Sequence, residues 1–279
     1  MTGTVSQSSD VLQVRRDAGV WFARLNRPDK RNALSDELVM ALDATCTQVT
    51  ADLEARALVI YGAGRHFCAG GDFSGFLRLM QTEPGHDGDP IARYNREFGT
   101  LLERLASLPV PTLAVVAGIA MGGGCGLAAA CDRVIAAEDA TFATPEVTLG
   151  VAPAQIAPFL VRRAGARRAR WLMLSGARLK APEALDCGLA DRVVPAAELR
   201  AALGADLGLL LAAEPAALRA TKRIVNRTLE APLGESLDSA SLEFAGLLRH
   251  GAAREGIAAT VAKRAPAWAM PVPELPELP

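Results

Sequence analysis

Three short stretches of this 279-residue chain hold residue types that could do chemistry together. The first is Gly122-Gly123-Gly124, set in an uncharged run over 110–131, the second is Ala69-Gly70-Gly71, and the third is the carboxylate Glu146 after Pro145. Glycines at a helix start leave the first N–H groups open to a ligand, because those groups have no partner inside the helix and sit at its positive end. With no Cβ in the way, such amides suit an anion or a carbonyl oxygen that is acquiring negative charge. On its own, either glycine cluster would also serve close strand–helix packing. Two amide patches and one acid in apolar surroundings suggest chemistry at the carbon next to a carbonyl. The amides would hold an enolate oxygen and Glu146 would move the proton.

The elements on either side must bring these stretches together. Residues 113–117 have the β-branched, wholly apolar character of a strand covered on both faces, Gly118 marks a turn, and a helix is predicted from the triple glycine through Ala130. Pro109, Pro111 and the three glycines interrupt the uncharged run, which excludes a membrane span there. A second core strand at 57–61 directly precedes the patch at Ala69, Gly70 and Gly71. Two neighbouring strands ending in such patches can aim two N–H groups at one point.

Ahead of these strands, 11–16 and 20–25 form a predicted hairpin around Asp17-Ala18-Gly19. A polar loop follows, and then a helix from 36 to about 53, capped by Ser35 and buried along Leu38, Leu42, Cys46 and Val49. Between the strands, 81–90 is a surface loop placed to border a pocket, and 91–108 is helical. Further on come a strand at 133–137, an extended piece over 140–147, helices opening at 151–158 and 165–174, and short elements at 181–188 and 193–195. Beyond Ala196 four helices are predicted, over 197–213, 215–229, 236–248 and 252–264. Residues 1–10 and 266–279, the latter with five prolines, are expected to be flexible tails.

Composition narrows the functional classes. Half the residues are hydrophobic and the net charge is -1, so the chain can bury a sizeable core and carries no overall field for nucleic acid. The cluster Arg162, Arg163, Arg167, Arg168 and Arg170 reads as a solvated helix face. Five cysteines and three widely spaced histidines lack metal-ligand spacing, so no metal site is expected and the thiols read as reduced, as in a cytoplasmic protein. No Gly-x-Ser-x-Gly elbow is present for an acyl-serine mechanism.

The residues resemble the crotonase, or enoyl-CoA hydratase/isomerase, superfamily. The matching pieces are Leu25-Asn26-Arg27-Pro28 with Asn32-Ala33-Leu34, then Phe67-Cys68-Ala69-Gly70-Gly71-Asp72, Gly122-Gly123-Gly124, Cys131-Asp132, and Pro145-Glu146 with Leu149-Gly150. Glu255-Gly256 with Lys263-Arg264 resembles the family's last helix. The resemblance implies an α/β fold: a spiral of β-β-α units over 11–195 and a helical oligomerisation region over 196–265. It also implies an acyl-CoA thioester as substrate, with no separate cofactor, and a homotrimer or dimer of trimers. By position, Gly71 and Gly123 would supply the oxyanion N–H groups and Glu146 the catalytic carboxylate. Lys30, Arg31, Ala33, Ala69, Gly70 and Asp72 would line the substrate and its CoA, and Lys263 would reach the CoA from an adjacent subunit.

One position departs from the family pattern. Typical hydratases of the family carry a glutamate two residues after the triple glycine, where this chain has Gly126. The glycine is expected to leave room for a branched or polar acyl group. Gly122–Leu127 with Pro153-Ala154-Gln155-Ile156-Ala157-Pro158 is similar to the 3-methylglutaconyl-CoA and isohexenylglutaconyl-CoA hydratase branch. Hydration of a branched glutaconyl-type enoyl-CoA is therefore the first functional expectation. Double-bond isomerisation by the single Glu146 is the second, and a non-catalytic acyl-CoA- or RNA-binding protein the third.

Overall fold

Strand alternation decides which core each side chain joins. In the strand Ala57–Gly62, Leu58 and Ile60 enter one core while Ala57, Val59 and Tyr61 enter another. The strand Thr112–Val116 repeats the division, with Ala114 and Val116 on the first side and Leu113 and Val115 on the second. A sheet buried on both faces is what such uninterrupted apolar strands require.

The computed structural model describes residues 5–86 and 88–279. Its first half comprises Val5–Ser8 (β1), Leu12–Asp17 (β2), Val20–Leu25 (β3), Asp36–Ala51 (α1), Ala57–Gly62 (β4), Phe73–Leu79 (α2), Pro90–Ser107 (α3), Thr112–Val116 (β5), Ile119–Met121 (β6) and Gly123–Ala129 (α4). Then come Arg133–Ala137 (β7), Thr141–Ala143 (β8), Ala157–Ser175 (α5), Arg178–Lys180 (β9), Ala181–Asp186 (α6) and Arg192–Val194 (β10). Leu199–Ala212 (α7), Pro215–Thr228 (α8), Leu233–His250 (α9) and Ala253–Val261 (α10) complete the chain. The large sheet has the order β1-β2-β3-β4-β5-β7-β10, antiparallel up to β3 and parallel beyond it, and a small sheet has the order β6-β8-β9.

Each coil of the chain lays one strand in the large sheet, turns sharply into the small one and returns through a helix: β5, β6 and α4, then β7, β8 and α5. This is the expected spiral of β-β-α units. Gly118, at φ +60°, makes the turn between β5 and β6, where a Cβ would overlap the Arg65 carbonyl oxygen. The predicted hairpin forms with Ala18 and Gly19 both at positive φ, the conformation of a two-residue turn whose twist matches its strands. Helix α1 has Ser35 accepting from the Leu38 N–H, and it buries Leu38, Leu42, Cys46 and Val49 as read. α5 starts at Ala157, later than expected, and breaks at Gly165 (φ 75°, ψ 154°).

The two ends are more ordered than flexible tails would be. Residues 1–4 of the first lie outside the described residues, while Val5–Ser8 pairs with Gln13–Arg16 as an edge strand. The second, 266–279, is extended but anchored. Met270, Leu275 and Leu278 pack on the core beneath α7, and buried Arg56 donates to the carbonyls of Leu211, Ala213 and Trp268. A guanidinium that satisfies carbonyls at the end of a helix is a favourable burial for a charge, because those carbonyls have no partner in the helix itself. α7 belongs to the sheet's second core through Leu199, Leu203, Leu207 and Leu211. α8, α9 and α10 stand outside it, leaving Leu233, Leu237, Leu242, Phe244, Ile257 and Val261 exposed.

Candidate functional site

The two glycine stretches run side by side. Cys68 and Ala120 form a parallel bridge in which the Cys68 N–H donates to Ile119 O and the Met121 N–H donates to Cys68 O, both at 3.0 Å. Beyond this bridge Gly71 pairs with Leu34, and Gly123 opens α4 beside Gly70. Gly70 takes φ +96°, and a Cβ on it would stand 2.8 Å from Met121 O and 3.6 Å from the Gly123 nitrogen. Leu34 donates to Gly70 O and accepts from the Asp72 N–H, so the Gly71 N–H between them faces away from Leu34. Among the described residues neither the Gly71 N–H nor the Gly123 N–H has an acceptor. Side-chain space at both is taken by neighbours: Phe76 at Gly71, and Leu34 and Phe98 at Gly123.

Glu146 reaches the same place from the 3-10 turn Pro145–Leu149 that follows β8. A Cβ on Gly122 would stand 2.9 Å from Glu146 Oε1, so the carboxylate lies against the glycine that starts α4. Glu146 Oε2 is buried with no hydrogen-bond partner among the described residues. Burial pushes the carboxyl above the usual glutamate range, opposed by a hydrogen bond from its own backbone N–H. Nearby Cys125 has its thiol pushed up to about 12, mainly by burial and next by the Glu146 charge, so it is an inert packing group.

The space expected beside Gly126 is absent. A Cβ on Gly126 would overlap Ile156 Cγ2, and Ile156 is only 3% exposed. The glycine therefore admits an isoleucine from the segment before α5, and Glu146 remains the carboxylate against the triple glycine. Sequence reasoning missed Ile156, Phe76 and Phe98 as walls of the site. A glycine doublet can signal a close approach, but it does not name the partner.

The loop expected to line CoA is brought alongside. The Ala69 N–H donates to Arg31 O at 3.0 Å, with Lys30 and Arg31 exposed and Ala33 and Ala69 half-buried. Arg31 and Asn32 both adopt left-handed backbone, and buried Asn32 holds the bend by accepting from the Arg27 N–H and donating to Ala63 O and His66 O. Asp72 pairs with Arg27 at 2.9 Å, and Arg27 also donates to Ala33 O, so Asp72 braces this loop. Asp132 has a similar bracing part, accepting from the Thr112 N–H and from Lys222. Lys263 follows the C-terminal end of α10, with φ 50°. Among the arginines of α5, Arg163 is structural, donating to Cys131 O, Leu189 O and Asp191.

Paired free amides beside a buried carboxylate can hold an enolate oxygen and move a proton. The sequence matches the enoyl-CoA hydratase/isomerase family over residues 15–271. The chain belongs to that family. Its relatives include a probable enoyl-CoA hydratase of Rhizobium meliloti, 39% identical over 259 residues, which span 92% of this chain and 97% of that protein. The 2,3-dehydroadipyl-CoA hydratase of Escherichia coli is 34% identical over 257 residues, 91% of this chain and 97% of that one. Among solved structures, Pseudomonas aeruginosa AtuE superposes with a TM-score of 0.89 at 40% identity, over 93% of this chain and all of that one. This enoyl-CoA hydratase/isomerase family enzyme thus has the crotonase fold. Among its described residues no single helix is long and apolar enough to cross a membrane.

Proposed function

We propose that this family member hydrates a branched, glutaconyl-type enoyl-CoA. The thioester oxygen lies between the Gly71 and Gly123 N–H groups, which stabilise it as negative charge develops. Glu146 takes a proton from water as the water oxygen bonds to the β-carbon, and returns a proton to the α-carbon. The product gains one water and the carboxylate is restored. The observation that carries this reading is Glu146, whose Oε1 lies against Gly122 and whose buried Oε2 has no hydrogen-bond partner among the described residues. A carboxyl raised by burial is closer to neutral operating pH, where one group can act as both base and acid. A relative named for 2,3-dehydroadipyl-CoA supports an acyl group that bears a second carboxylate.

Isomerisation is the second reading, favoured by the same single carboxylate, which would carry a proton from the γ-carbon to the α-carbon. A panel of enoyl-CoA thioesters separates the two. Loss of absorbance at the conjugated thioester band with a mass gain of one water supports hydration. An unchanged mass with a moved double bond supports isomerisation.

Lys30, Arg31, Ala33, Ala69 and Gly70 line the CoA in this proposal, with Lys263 reaching it from a neighbouring subunit of a homotrimer or dimer of trimers in the cytoplasm. The support for assembly is the apolar groove of ≈ 490 Å³ between α9 and α10, lined by Phe244, Leu247, Leu248, Ile257 and Trp268. Light scattering that returns a monomer mass would rule the assembly out.

A further inference from the structure

Gly99 lies in the interior of α3, an unfavourable place for glycine, and its reason lies across the site. A Cβ there would overlap Gln155 Oε1 and stand 2.8 Å from Gln155 Cδ. Gln155 comes from the segment before α5, next to the Ile156 that fills the space at Gly126. Its Nε2 donates to Asn95 Oδ1 at 2.9 Å, and both side chains are half-buried.

Asn95, Phe98, Gly99 and Leu102 follow the i, i+3, i+4, i+7 spacing of one helix face. Phe98 on that face meets Gly123, since its ring lies 3.3–3.4 Å from a Cβ placed there. The carboxamide pair is thus one helical turn from the wall of the oxyanion glycine, on the side closed by Ile156. Two amides joined by one hydrogen bond always leave one NH2 with both N–H groups free, whichever amide donates. Arg96 Nη1 stands 3.1 Å from the same Cβ point on Gly99, adding a cation that is shared with Glu103 at 2.6 Å. The free NH2 and the guanidinium, which also donates to Thr100 Oγ1 at 3.1 Å, supply donors to a carboxylate, while the carbonyl oxygen of the donating amide remains an acceptor.

We propose that Asn95 and Gln155 bind the far carboxylate of a dicarboxylic acyl-CoA and so determine substrate specificity. This rests on the reading that an acyl-CoA occupies the Glu146 site, and it goes further by assigning the residues that select the acyl group. In a site built around hydrogen-bonding groups, a ligand lacking the matching group leaves them unpaired and is rejected more strongly than apolar packing alone achieves.

The test is calorimetric binding of two saturated thioesters, 3-methylglutaryl-CoA and isovaleryl-CoA, which share a skeleton and differ by the far carboxylate. Neither can be hydrated, so the readout is independent of the reaction. The parent protein is expected to bind 3-methylglutaryl-CoA at least about tenfold tighter. N95L and Q155M should bring the ratio near one while changing isovaleryl-CoA affinity less than about threefold. N95D, which retains shape but adds like charge, should reverse the preference. Equal affinities in the parent, a ratio unchanged in the variants, or an equal loss for both ligands would overturn the assignment. Failure of either thioester to bind would overturn it together with the acyl-CoA reading. A parent protein that keeps the ratio but hydrates no enoyl-CoA would remove the proposed reaction and leave the recognition pair standing.

Discussion

Gly126→Ala adds one methyl group at the tightest point beside the site. In an unobstructed helix the change is stabilising by about 1 kcal/mol, because glycine is a poor helix former. Here the new Cβ would overlap Ile156 Cγ2 and lie 2.7 Å from Ile156 Cβ, whereas carbon contacts settle at about 3.5–4.0 Å. Ile156 is buried and leads directly into α5, so the misfit falls on backbone as well as on a side-chain rotamer. Overpacking of this kind costs about 1–3 kcal/mol. Net of helix propensity, Gly126→Ala should destabilise by about 0–2 kcal/mol, and Gly126→Glu by more because it also buries a charge.

Ile156→Ala alone should cost about 2–5 kcal/mol through the cavity it opens. Combined with Gly126→Ala it removes the worse of the two overlaps, so the double variant should exceed additivity by roughly 1 kcal/mol or more. Urea titration of the four proteins measures this coupling. A Gly126→Ala protein about 1 kcal/mol more stable than the parent, or a coupling within about 0.5 kcal/mol of zero, would show that Ile156 does not occupy the space. Gly126→Glu should not gain hydration of crotonyl-CoA until Ile156→Gly accompanies it.

Glu146→Gln should lower turnover by roughly 10²–10⁴ while CoA binding survives, and parent-like turnover would refute the role. Because burial raises the Glu146 pKa, the folded state binds that proton more tightly than the unfolded state. The resulting destabilisation is present above the raised value and absent below the ordinary one. The variant should therefore melt at or above the parent at pH 8, with the difference shrinking toward pH 4; a difference that grows toward pH 4 would contradict the burial argument. Gly123→Pro deletes one oxyanion donor at the first position of α4, where a helix backbone accepts proline but the ring must displace Leu34 and Phe98, and it should cost about 10²-fold in turnover once folding is confirmed by circular dichroism. Phe244→Asp with Ile257→Asp should convert an oligomer to monomer in light scattering, and an unchanged mass would show that this face is not an interface.

What could be read from the sequence follows from where each signal resides. The strands β4 and β5, the helix α1 and the paired glycine stretches are specified by local pattern, and the structure places them as read. The three-residue strands β6 and β9 carry too little pattern to stand out, and they exist because β8 lies between them. The extended tail lacks periodicity, yet Met270, Leu275 and Leu278 find a core formed far upstream. Gly126 shows the same division at the site. The sequence reveals a missing carboxylate, but only tertiary packing reveals that an isoleucine has taken its volume.

That distinction alters the chemistry, because an open cavity would admit water or substrate whereas Ile156 admits neither. In place of the polar group that a glutamate at 126 would supply, this chain has a polar pair at a different point, where Gly99 lets Gln155 reach Asn95. Two glycines on two helices, Gly99 and Gly126, therefore accommodate two consecutive residues of one segment. On the proposed reading, proton transfer is left to Glu146, and polar recognition of the acyl group falls to Asn95 and Gln155.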